Sequence, residues 1–235
     1  MSAETPQKEF TKNIWELSIP VLALDVVIFT IYKGSLWIVT IDTTPGVANE
    51  RLTRLPGGIL RSGEWLDAAF DRILLTKTGL SDIYKEQLIT LGDPERDTRG
   101  HVVSIVYYAL VDSQVLLASL DLTRAHLVPI GDILSSDVMA YDHADIVKYA
   151  RQRLEWKMEY TNIAMNILPE QFTLSELQRV YEIVLGKELD KRNFRKKILS
   201  LSMIEETGEL DRESSNRPAK LYKFSDKELK IVEVF

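Results

Sequence analysis

The sequence predicts two domains, an α/β domain over residues 1–145 and a mostly helical domain over residues 146–235. Upstream of Asp142, short runs rich in Val, Ile and Phe alternate with Gly- and Pro-containing breaks, which is typical of an α/β arrangement. Downstream of Asp142, the apolar residues recur at helical spacing and the polar positions become basic. The domain boundary is therefore placed near the start of the first long helix.

Strands dominate the predicted first domain. Val21 to Ile31 and Leu36 to Ile41 flank a Lys33-Gly34 turn and predict a β-hairpin. A helix is expected from Trp65 to Thr78, where apolar residues recur every three or four positions and Gly79 supplies a C-cap. The remaining predictions are strands at Tyr84 to Leu91 and Val102 to Leu110, loops at 43–48 and 92–100, and irregular chain from Gly131 to Asp142.

Helices dominate the predicted second domain. The pattern predicts a long helix from Ala144 to Leu168, stopped by Pro169, and two further helices at Leu174 to Leu185 and Lys191 to Leu201. Met203 to Phe224 then predicts a strand, a polar loop and a second strand.

Composition excludes several functions. The net charge of −6 shows that the whole chain is not polybasic, although nucleic acid meets a local patch and not the sum. The absence of cysteine excludes disulfides and thiolate zinc sites. The longest apolar stretch, Ile19 to Tyr32, contains Pro20 and Asp25 and is too short to cross a bilayer. These features, with a polar N-terminus, predict a cytoplasmic protein without a membrane partner.

The glycine-bounded segment from Gly58 to Leu80 resembles the Nudix box, G-x5-E-x7-R-E-U-x-E-E-x-G-U. Six positions fall in register: Gly58, Glu64, Arg72, Leu74, Gly79 and Leu80. The resemblance implies a Nudix-like α/β/α sandwich, in which an ion pair between Glu64 and Arg72 would hold the loop.

This Nudix box lacks the residues that would bind magnesium. The glutamates that follow the arginine in the motif fall here on Ile73, Thr76 and Lys77. Magnesium requires oxygen ligands, usually anionic ones, and these side chains offer one neutral hydroxyl and one positive charge. The sequence therefore predicts a domain without catalysis, metal or cofactor. An active Nudix hydrolase carrying an accessory domain stays the alternative.

A charged loop from Gly92 to Gly100 precedes the strand at Val102. Arg96 and Arg99 are candidates for gripping phosphates, because guanidinium makes bidentate contacts with phosphate oxygens. Asp93 and Asp97 are candidates for accepting ribose hydroxyls. A solvated loop with local salt bridges explains the same residues, and the chemistry alone leaves both interpretations open.

The C-terminal region predicts a winged helix-turn-helix domain. Thr173 and Glu176 form a capping box, and Phe194, Ile198 and Leu201 form the buried stripe of the next helix. The basic residues of that helix are left facing outward, as in a helix that enters the major groove. The alternative is a small helical dimerisation domain with a solvated charged face. The candidate DNA-binding residues are Ser175, Lys191, Arg192, Asn193, Arg195, Lys196 and Lys197, with Arg217 and Lys220 on the wing.

Taken together, the chain resembles the Nudix-related transcriptional regulators, the NrtR group. The most specific marks are the runs at 92–97, 172–178 and 189–197, with Arg99-Gly100 and Ser104. The resemblance implies a homodimer on double-stranded operator DNA that represses NAD-metabolism genes and senses ADP-ribose, or a sugar such as arabinose in another branch. The candidate effector-binding residues are Arg54, Gly58, Glu64, Arg72, Asp93, Arg96, Asp97 and Arg99.

Overall fold

The computed structural model describes residues 19–43, 52–211 and 218–234. The first domain is built on a seven-stranded sheet with strand order β3-β2-β1-β6-β5, to which β4 adds beside β1 and β7 beside β2. Its strands are β1 (Val21–Tyr32), β2 (Ser35–Asp42), β3 (Thr53–Arg54), β4 (Gly57–Ile59), β5 (Tyr84–Leu91), β6 (Val102–Leu110) and β7 (Ala125–Pro129). Its helices are α1 (Leu66–Thr78), α2 (Ser113–Ser119), α3 (Ile130–Leu134) and α4 (His143–Tyr160).

The predicted α/β/α sandwich is confirmed by the packing of the central strand β1. Alternate side chains of a strand point to opposite faces of its sheet. Val26 and Ile28 pack in one cluster with Phe70 of α1, whereas Val27 and Phe29 pack in another cluster with residues of α4. Both faces of the sheet are therefore covered by helix, and β1 is apolar on both sides.

The predicted hairpin is confirmed as β1 and β2. Lys33 and Gly34 both have positive φ, at 47° and 78°, and they join the paired residues Tyr32 and Ser35. This is the two-residue turn whose twist matches that of the flanking strands. The predicted strands at β5 and β6 have the bounds expected from the sequence, and Gly79 caps α1 in the left-handed conformation.

Two short helices lie where none was predicted. Asp112 caps α2 by accepting hydrogen bonds from the backbone N–H groups of Gln114 and Val115. The expectation of irregular chain after Gly131 is wrong for α3, whose residues Ile130 and Ile133 are buried. Helices this short carry too few apolar positions for their period to be visible in the sequence.

The prediction that the long helix reaches Leu168 is wrong, because α4 ends at Tyr160. Thr161 is extended, with φ −141° and ψ 169°, and bridges to Ile231. The backbone N–H of Asn162 donates to the Lys230 carbonyl at 3.2 Å, and its side-chain Oδ1 accepts from the Lys230 N–H at 2.7 Å. The C-terminal segment thus pairs with the chain there, and only a short 3₁₀ helix (Ile163–Asn166) follows.

The second domain has the predicted winged-helix arrangement. Its elements are β8 (Phe172–Thr173), α5 (Leu174–Leu185), α6 (Lys191–Ser200), β9 (Ile204–Asp211) and β10 (Ala219–Phe224). The strands form a sheet in the order β8-β10-β9. The capping box is present, because Thr173 Oγ1 accepts from the Glu176 N–H and Glu176 accepts from the Thr173 N–H.

One buried apolar cluster joins the two domains. It runs from Val27 and Phe29 of the sheet through Leu154 and Met158 of α4 to Tyr181 of α5. Helix α4 therefore packs against the sheet of the first domain and against a helix of the second. The boundary between residues 145 and 146 stays a prediction. No helix in the described part of the chain is long and apolar enough to span a membrane.

Candidate effector pocket and nucleic-acid interface

A small recess opens at the end of the first domain's sheet where α4 begins. Its volume is about 90 Å³, well below the ~300–1,000 Å³ of pockets that enclose a whole ligand, so it has room for one chemical group of a larger molecule. Five of the eight predicted effector residues line it, namely Arg54, Gly58, Arg96, Asp97 and Arg99. Asp25, Tyr141 and His143, which were not predicted, line it as well.

The floor of the recess holds a buried carboxylate and a buried imidazole. Asp25 Oδ2 accepts a 2.6 Å hydrogen bond from the Ser104 hydroxyl. The Nδ1 atom of His143 accepts the Leu55 backbone N–H at 2.9 Å. Burial lowers the pKa of His143, so the ring is neutral near pH 7 and carries its proton on Nε2. That atom lies 3.8 Å from Asp25 Oδ1.

Arg96 is a buried structural residue of the recess wall. Its Nε and Nη2 atoms donate to both carboxylate oxygens of Asp142 at 2.9 and 2.7 Å, and its side chain is only 5% exposed. Because Asp142 is the N-cap of α4, this pair ties the charged loop to the start of the helix. The predicted phosphate grip from Arg96 would have to compete with this pair.

Arg99 and Arg54 are the more available cations at the recess. Arg99 forks onto Asp97 with contacts of 2.6 and 2.9 Å, yet its side chain stays 57% exposed. Its guanidinium carbon lies 5.2 Å from the centre of the Tyr141 ring. The hydrogen bonds from Arg99 lower the pKa of Asp97. Arg54 donates to the Asp42 carbonyl at 3.3 Å and forms no ion pair with a carboxylate among the described residues.

The other three predicted effector residues lie outside the recess lining. Glu64 and Arg72 form a two-pronged pair at 2.6 and 2.7 Å, as the Nudix resemblance led us to expect. The hydrogen bond from Arg72 lowers the pKa of Glu64 to about 2, and Arg72 also donates to the Ile59 carbonyl. This pair holds the loop between β4 and α1. Asp93 accepts the Glu95 backbone N–H at 2.9 Å and so shapes its own turn.

The positions that would ligate magnesium in a Nudix enzyme do not fit the metal. Ile73 is buried, and the Thr76 hydroxyl donates to the Arg72 carbonyl at 2.7 Å. Within the described ranges, no group of three or more His, Asp or Glu side chains is placed to hold a metal ion. A hard divalent cation needs several oxygen ligands, so no step is assigned to magnesium here.

Helix α6 presents a basic outer face. Asp190 caps it by accepting the Asn193 N–H at 2.8 Å. Phe194 and Ile198 are buried, and Leu201, which was expected to complete the stripe, is half-buried. The exposed predicted DNA-binding residues of this helix are Lys191, Arg192, Asn193, Lys196 and Lys197.

Residues 164–224 match the family model of the NrtR DNA-binding winged helix domain. The chain is also 34% identical over 209 residues to the ADPR responsive transcriptional repressor NtrR of Acinetobacter baylyi, covering 88% of this chain and 82% of that repressor. The chain belongs to the NrtR family. It is a DNA-binding transcriptional regulator in which a Nudix-like domain precedes a winged helix.

Solved NrtR structures show the same architecture. The Shewanella oneidensis NrtR crystal structure with a 27mer DNA aligns with a TM-score of 0.77 and 33% identity, covering 86% of this chain and 93% of that one. The NUDIX domain of the same NrtR, complexed with ADP ribose, aligns with a TM-score of 0.52 and 29% identity, covering 64% of this chain and 99% of that one.

An enzyme is also among the relatives of this NrtR-family chain. The ADP-ribose pyrophosphatase of Methanocaldococcus jannaschii is 34% identical over 103 residues, which is 44% of this chain and 57% of the enzyme. The similarity covers one domain only and shows that the Nudix-like domain has hydrolase relatives.

In this NrtR-family winged helix, a cleft separates the start of α5 from the wing strand β10. The cleft has a volume of about 500 Å³ and is lined by Ser175, Lys191, Arg195 and Lys220 among others. Arg195 donates to the Ser175 hydroxyl at 3.2 Å, and Lys220 pairs with Glu206 at 2.9 Å. Arg217 lies outside the described residues.

Sequence reasoning missed three residues of the NrtR recess for different reasons. Asp25 carried a signal, since it is one acidic residue inside an apolar strand. Tyr141 and His143 carried none, because they lie just where irregular chain gives way to helix. Tyr141 has a positive φ of 58°, which is uncommon for a bulky residue and marks a locally strained backbone.

Proposed function

We propose that this NrtR-family regulator is a homodimeric repressor of NAD-metabolism genes whose first domain binds ADP-ribose and which has no hydrolase activity. It would act in the cytoplasm, where bacterial DNA lies. One observation carries the proposal: Arg54, Arg99 and His143, the first residue of α4, line the recess, and α4 packs directly on the DNA-binding domain. A ligand in the recess therefore contacts the element that connects it to DNA.

The cations of the recess support a phosphate-bearing effector. Guanidinium groups bind phosphate oxygens in a bidentate geometry, and Arg99 is more than half exposed. We assign Arg54 and Arg99 to the binding of the diphosphate. Arg96 has a structural role, because it holds the Asp142 side chain in place. The related Acinetobacter baylyi repressor is ADPR-responsive, and the NUDIX domain of the related Shewanella oneidensis NrtR has been solved in complex with ADP ribose.

The homodimer is supported by the size of the DNA-reading surface and by α4. One recognition helix of ten residues contacts few base pairs, and two-fold dimers bind paired half-sites. Tyr149, Trp156 and Tyr160 lie seven and four positions apart on α4 and are 39%, 47% and 42% exposed, so they form one aromatic stripe. Sedimentation of the wild type and of Trp156→Glu at micromolar concentration tests this assignment. A monomeric wild type, with and without DNA, contradicts the dimer.

Hydrolysis is the second candidate function, because a relative of the first domain is an ADP-ribose pyrophosphatase. The side chains at positions 73, 76 and 77 argue against it, since they cannot hold magnesium. Incubation with ADP-ribose and magnesium, followed by separation of the nucleotides, tests this directly. Turnover near ~1 per second, an ordinary enzyme rate, would establish an enzyme.

Genomic DNA fragments selected on the purified full-length protein supply the operator for the main experiment. Operator affinity is then measured by fluorescence anisotropy with no ligand, with ADP-ribose, with arabinose and with ribose. We expect ADP-ribose alone to change the affinity. A response to a free pentose and not to ADP-ribose would instead make this a sugar-responsive regulator.

A further inference from the structure

We propose that the recess binds the terminal ribose of ADP-ribose, with one sugar hydroxyl bridging Asp25 and His143 and with the diphosphate outside at Arg99. This inference rests on the proposed function and specifies which group of the effector enters. It begins with the two polar atoms on the floor of the recess.

One of these two atoms lacks a hydrogen-bond donor, and the other lacks an acceptor. Asp25 Oδ2 is occupied by the Ser104 hydroxyl, whereas Oδ1 accepts no hydrogen bond from any described residue. His143 uses Nδ1 to accept the Leu55 N–H, which leaves the ring proton on Nε2, and the Nε2 atom lies 3.8 Å from Asp25 Oδ1. That separation exceeds a hydrogen bond, and both side chains are almost fully buried.

A hydroxyl group satisfies both atoms at once. Its proton is donated to Asp25 Oδ1 and its oxygen accepts the Nε2 proton of His143, since a hydroxyl is both donor and acceptor. A phosphate at the same place would bring a second anion against the Asp25 carboxylate, and Arg96, whose Nη2 atom lies 3.8 Å from Asp25 Oδ2, is already paired with Asp142. The floor therefore selects a neutral sugar over a phosphate.

The size of the recess decides which ribose enters. The adenosine ribose carries substituents at both ends, the base and the diphosphate, so it needs more room than a recess of about 90 Å³ provides. The terminal ribose carries one substituent only, at C5. A recess of about 90 Å³ floored by buried Asp25 and His143 admits such an end group and leaves the phosphates at the mouth, where Arg99 is exposed.

Gly57 keeps this space open. A Cβ atom at Gly57 would lie 2.2 Å from Asp25 Oδ1 and 2.7 Å from the Leu24 carbonyl oxygen. The Asp25 carboxylate can occupy its position beside β4 only because residue 57 has no side chain. The backbone of β4 thus contributes to the shape of the sugar site.

Calorimetry on the full-length protein tests the proposal with ADP-ribose, ADP and NAD⁺ as ligands. Relative to ADP-ribose, ADP lacks the terminal ribose, and NAD⁺ carries a second substituent on it. We expect the wild type to bind each of these two at least about tenfold more weakly than ADP-ribose, the effect of losing one hydrogen bond to a charged group. Equal affinity for ADP and ADP-ribose, or for NAD⁺ and ADP-ribose, would overturn the proposal without using any variant.

Two variants then locate the site on the floor. Asp25→Asn removes the charge, and His143→Asn keeps an acceptor for the Leu55 N–H while removing the Nε2 donor. Each should weaken ADP-ribose at least about tenfold and leave ADP unchanged, which shows that the pocket is still folded. Asp42→Asn, at an exposed carboxylate paired with His126, is the matched control. Variants that bind ADP-ribose like the wild type would contradict the assignment.

Failure of the proposed effector has a separate signature. If the wild type binds no ADP-ribose, the proposed function is wrong, and ribose 5-phosphate becomes the probe. Binding of ribose 5-phosphate that is lost in Asp25→Asn would keep the sugar site, whereas no binding of ribose 5-phosphate would overturn the sugar site as well.

Discussion

The guanidinium of Arg96 binds both carboxylate oxygens of Asp142, at 2.9 and 2.7 Å. Arg96 belongs to the charged loop beside the recess, and Asp142 occupies the N-cap position of α4. The pair therefore connects the loop directly to a helix that packs on the DNA-binding domain. Such a contact is the physical requirement for coupling between effector and operator, which is a difference in free energy between two states of one connecting element.

Asp142→Asn should weaken this coupling more than it weakens either binding event. The neutral amide has one acceptor oxygen in place of two, so the two-oxygen pairing with Arg96 is lost and the variant should lose roughly 1–3 kcal/mol of stability. The ratio of operator affinities with and without ADP-ribose, measured by anisotropy, should move toward one. Asp145→Asn, at an exposed carboxylate on the same helix, is the control and should keep the wild-type ratio. An unchanged ratio in Asp142→Asn would show that the pair is not the connection.

Glu86 should make stability depend on pH. It accepts hydrogen bonds from Tyr84 at 2.8 Å and Tyr108 at 3.0 Å, and it pairs with Lys157 of α4 at 2.9 Å. Burial raises the pKa of Glu86, but the hydrogen bonds from Lys157 and the two tyrosines outweigh it, and the net pKa is lowered from 4.5.

A lowered folded-state pKa stabilises the fold above the unfolded value, and that contribution disappears as the pH falls through the folded pKa. Glu86→Gln should therefore be less stable than the wild type by roughly 1–3 kcal/mol at pH 7, and the difference should shrink below pH 4.5. Urea unfolding at pH 7 and pH 4 measures it. Glu155 forms an i,i+4 pair with Arg151 on α4, and Glu155→Gln should change the free energy of unfolding much less. A pH-independent gap would rule out the charge as the cause.

Two glycine substitutions should have opposite consequences. Gly57→Ala forces its Cβ against Asp25 and the Leu24 carbonyl, so it should lower the melting temperature and weaken ADP-ribose binding. Gly131→Ala meets no atom within 4 Å and lies in α3, where alanine is favoured over glycine by about 1 kcal/mol. It should leave ligand binding intact and stabilise the protein slightly. Equal melting temperatures for the two variants would contradict the clash at Gly57.

Much of this fold could be predicted from local sequence. The Lys33-Gly34 turn, the Thr173 capping box and the Gly79 cap each depend on residues close together in the chain, and each is present. The end of α4 could not be predicted, because Thr161 leaves the helix to pair with a segment near Ile231. Such long-range pairing leaves no local pattern.

The candidate site was predictable where charge is concentrated in one loop. Arg96, Asp97 and Arg99 are recognisable in the sequence as a charged run, and all three line the recess. Asp25 and His143 come from distant parts of the chain, and their proximity results from the packing of α4 against the sheet that contains β1. The sequence also could not show that Arg96 is already paired with Asp142.

The outer face of α6 should carry most of the operator affinity. Arg192→Ala combined with Lys196→Ala removes two exposed cations without touching Phe194 or Ile198, so the fold should survive. Operator binding at ~0.15 M salt should be abolished, and each lost phosphate contact should reduce the slope of log affinity against log salt by ~0.9. Arg124→Ala with Lys148→Ala, two cations outside the winged helix, should bind like the wild type. If the α6 variant stayed folded and kept full operator affinity, the basic residues of α6 would be a solvated surface and not the DNA-binding face.

The most direct test of the account is the operator affinity of the wild type and of Asp25→Asn over a range of ADP-ribose concentrations. In the wild type, ADP-ribose should shift the affinity by roughly 5–150-fold, the usual range of coupling between two sites. In Asp25→Asn the same shift should require at least about tenfold more ligand, while the affinity without ligand stays at the wild-type value. An operator affinity that does not respond to saturating ADP-ribose in the wild type would contradict the claim that the recess regulates DNA binding.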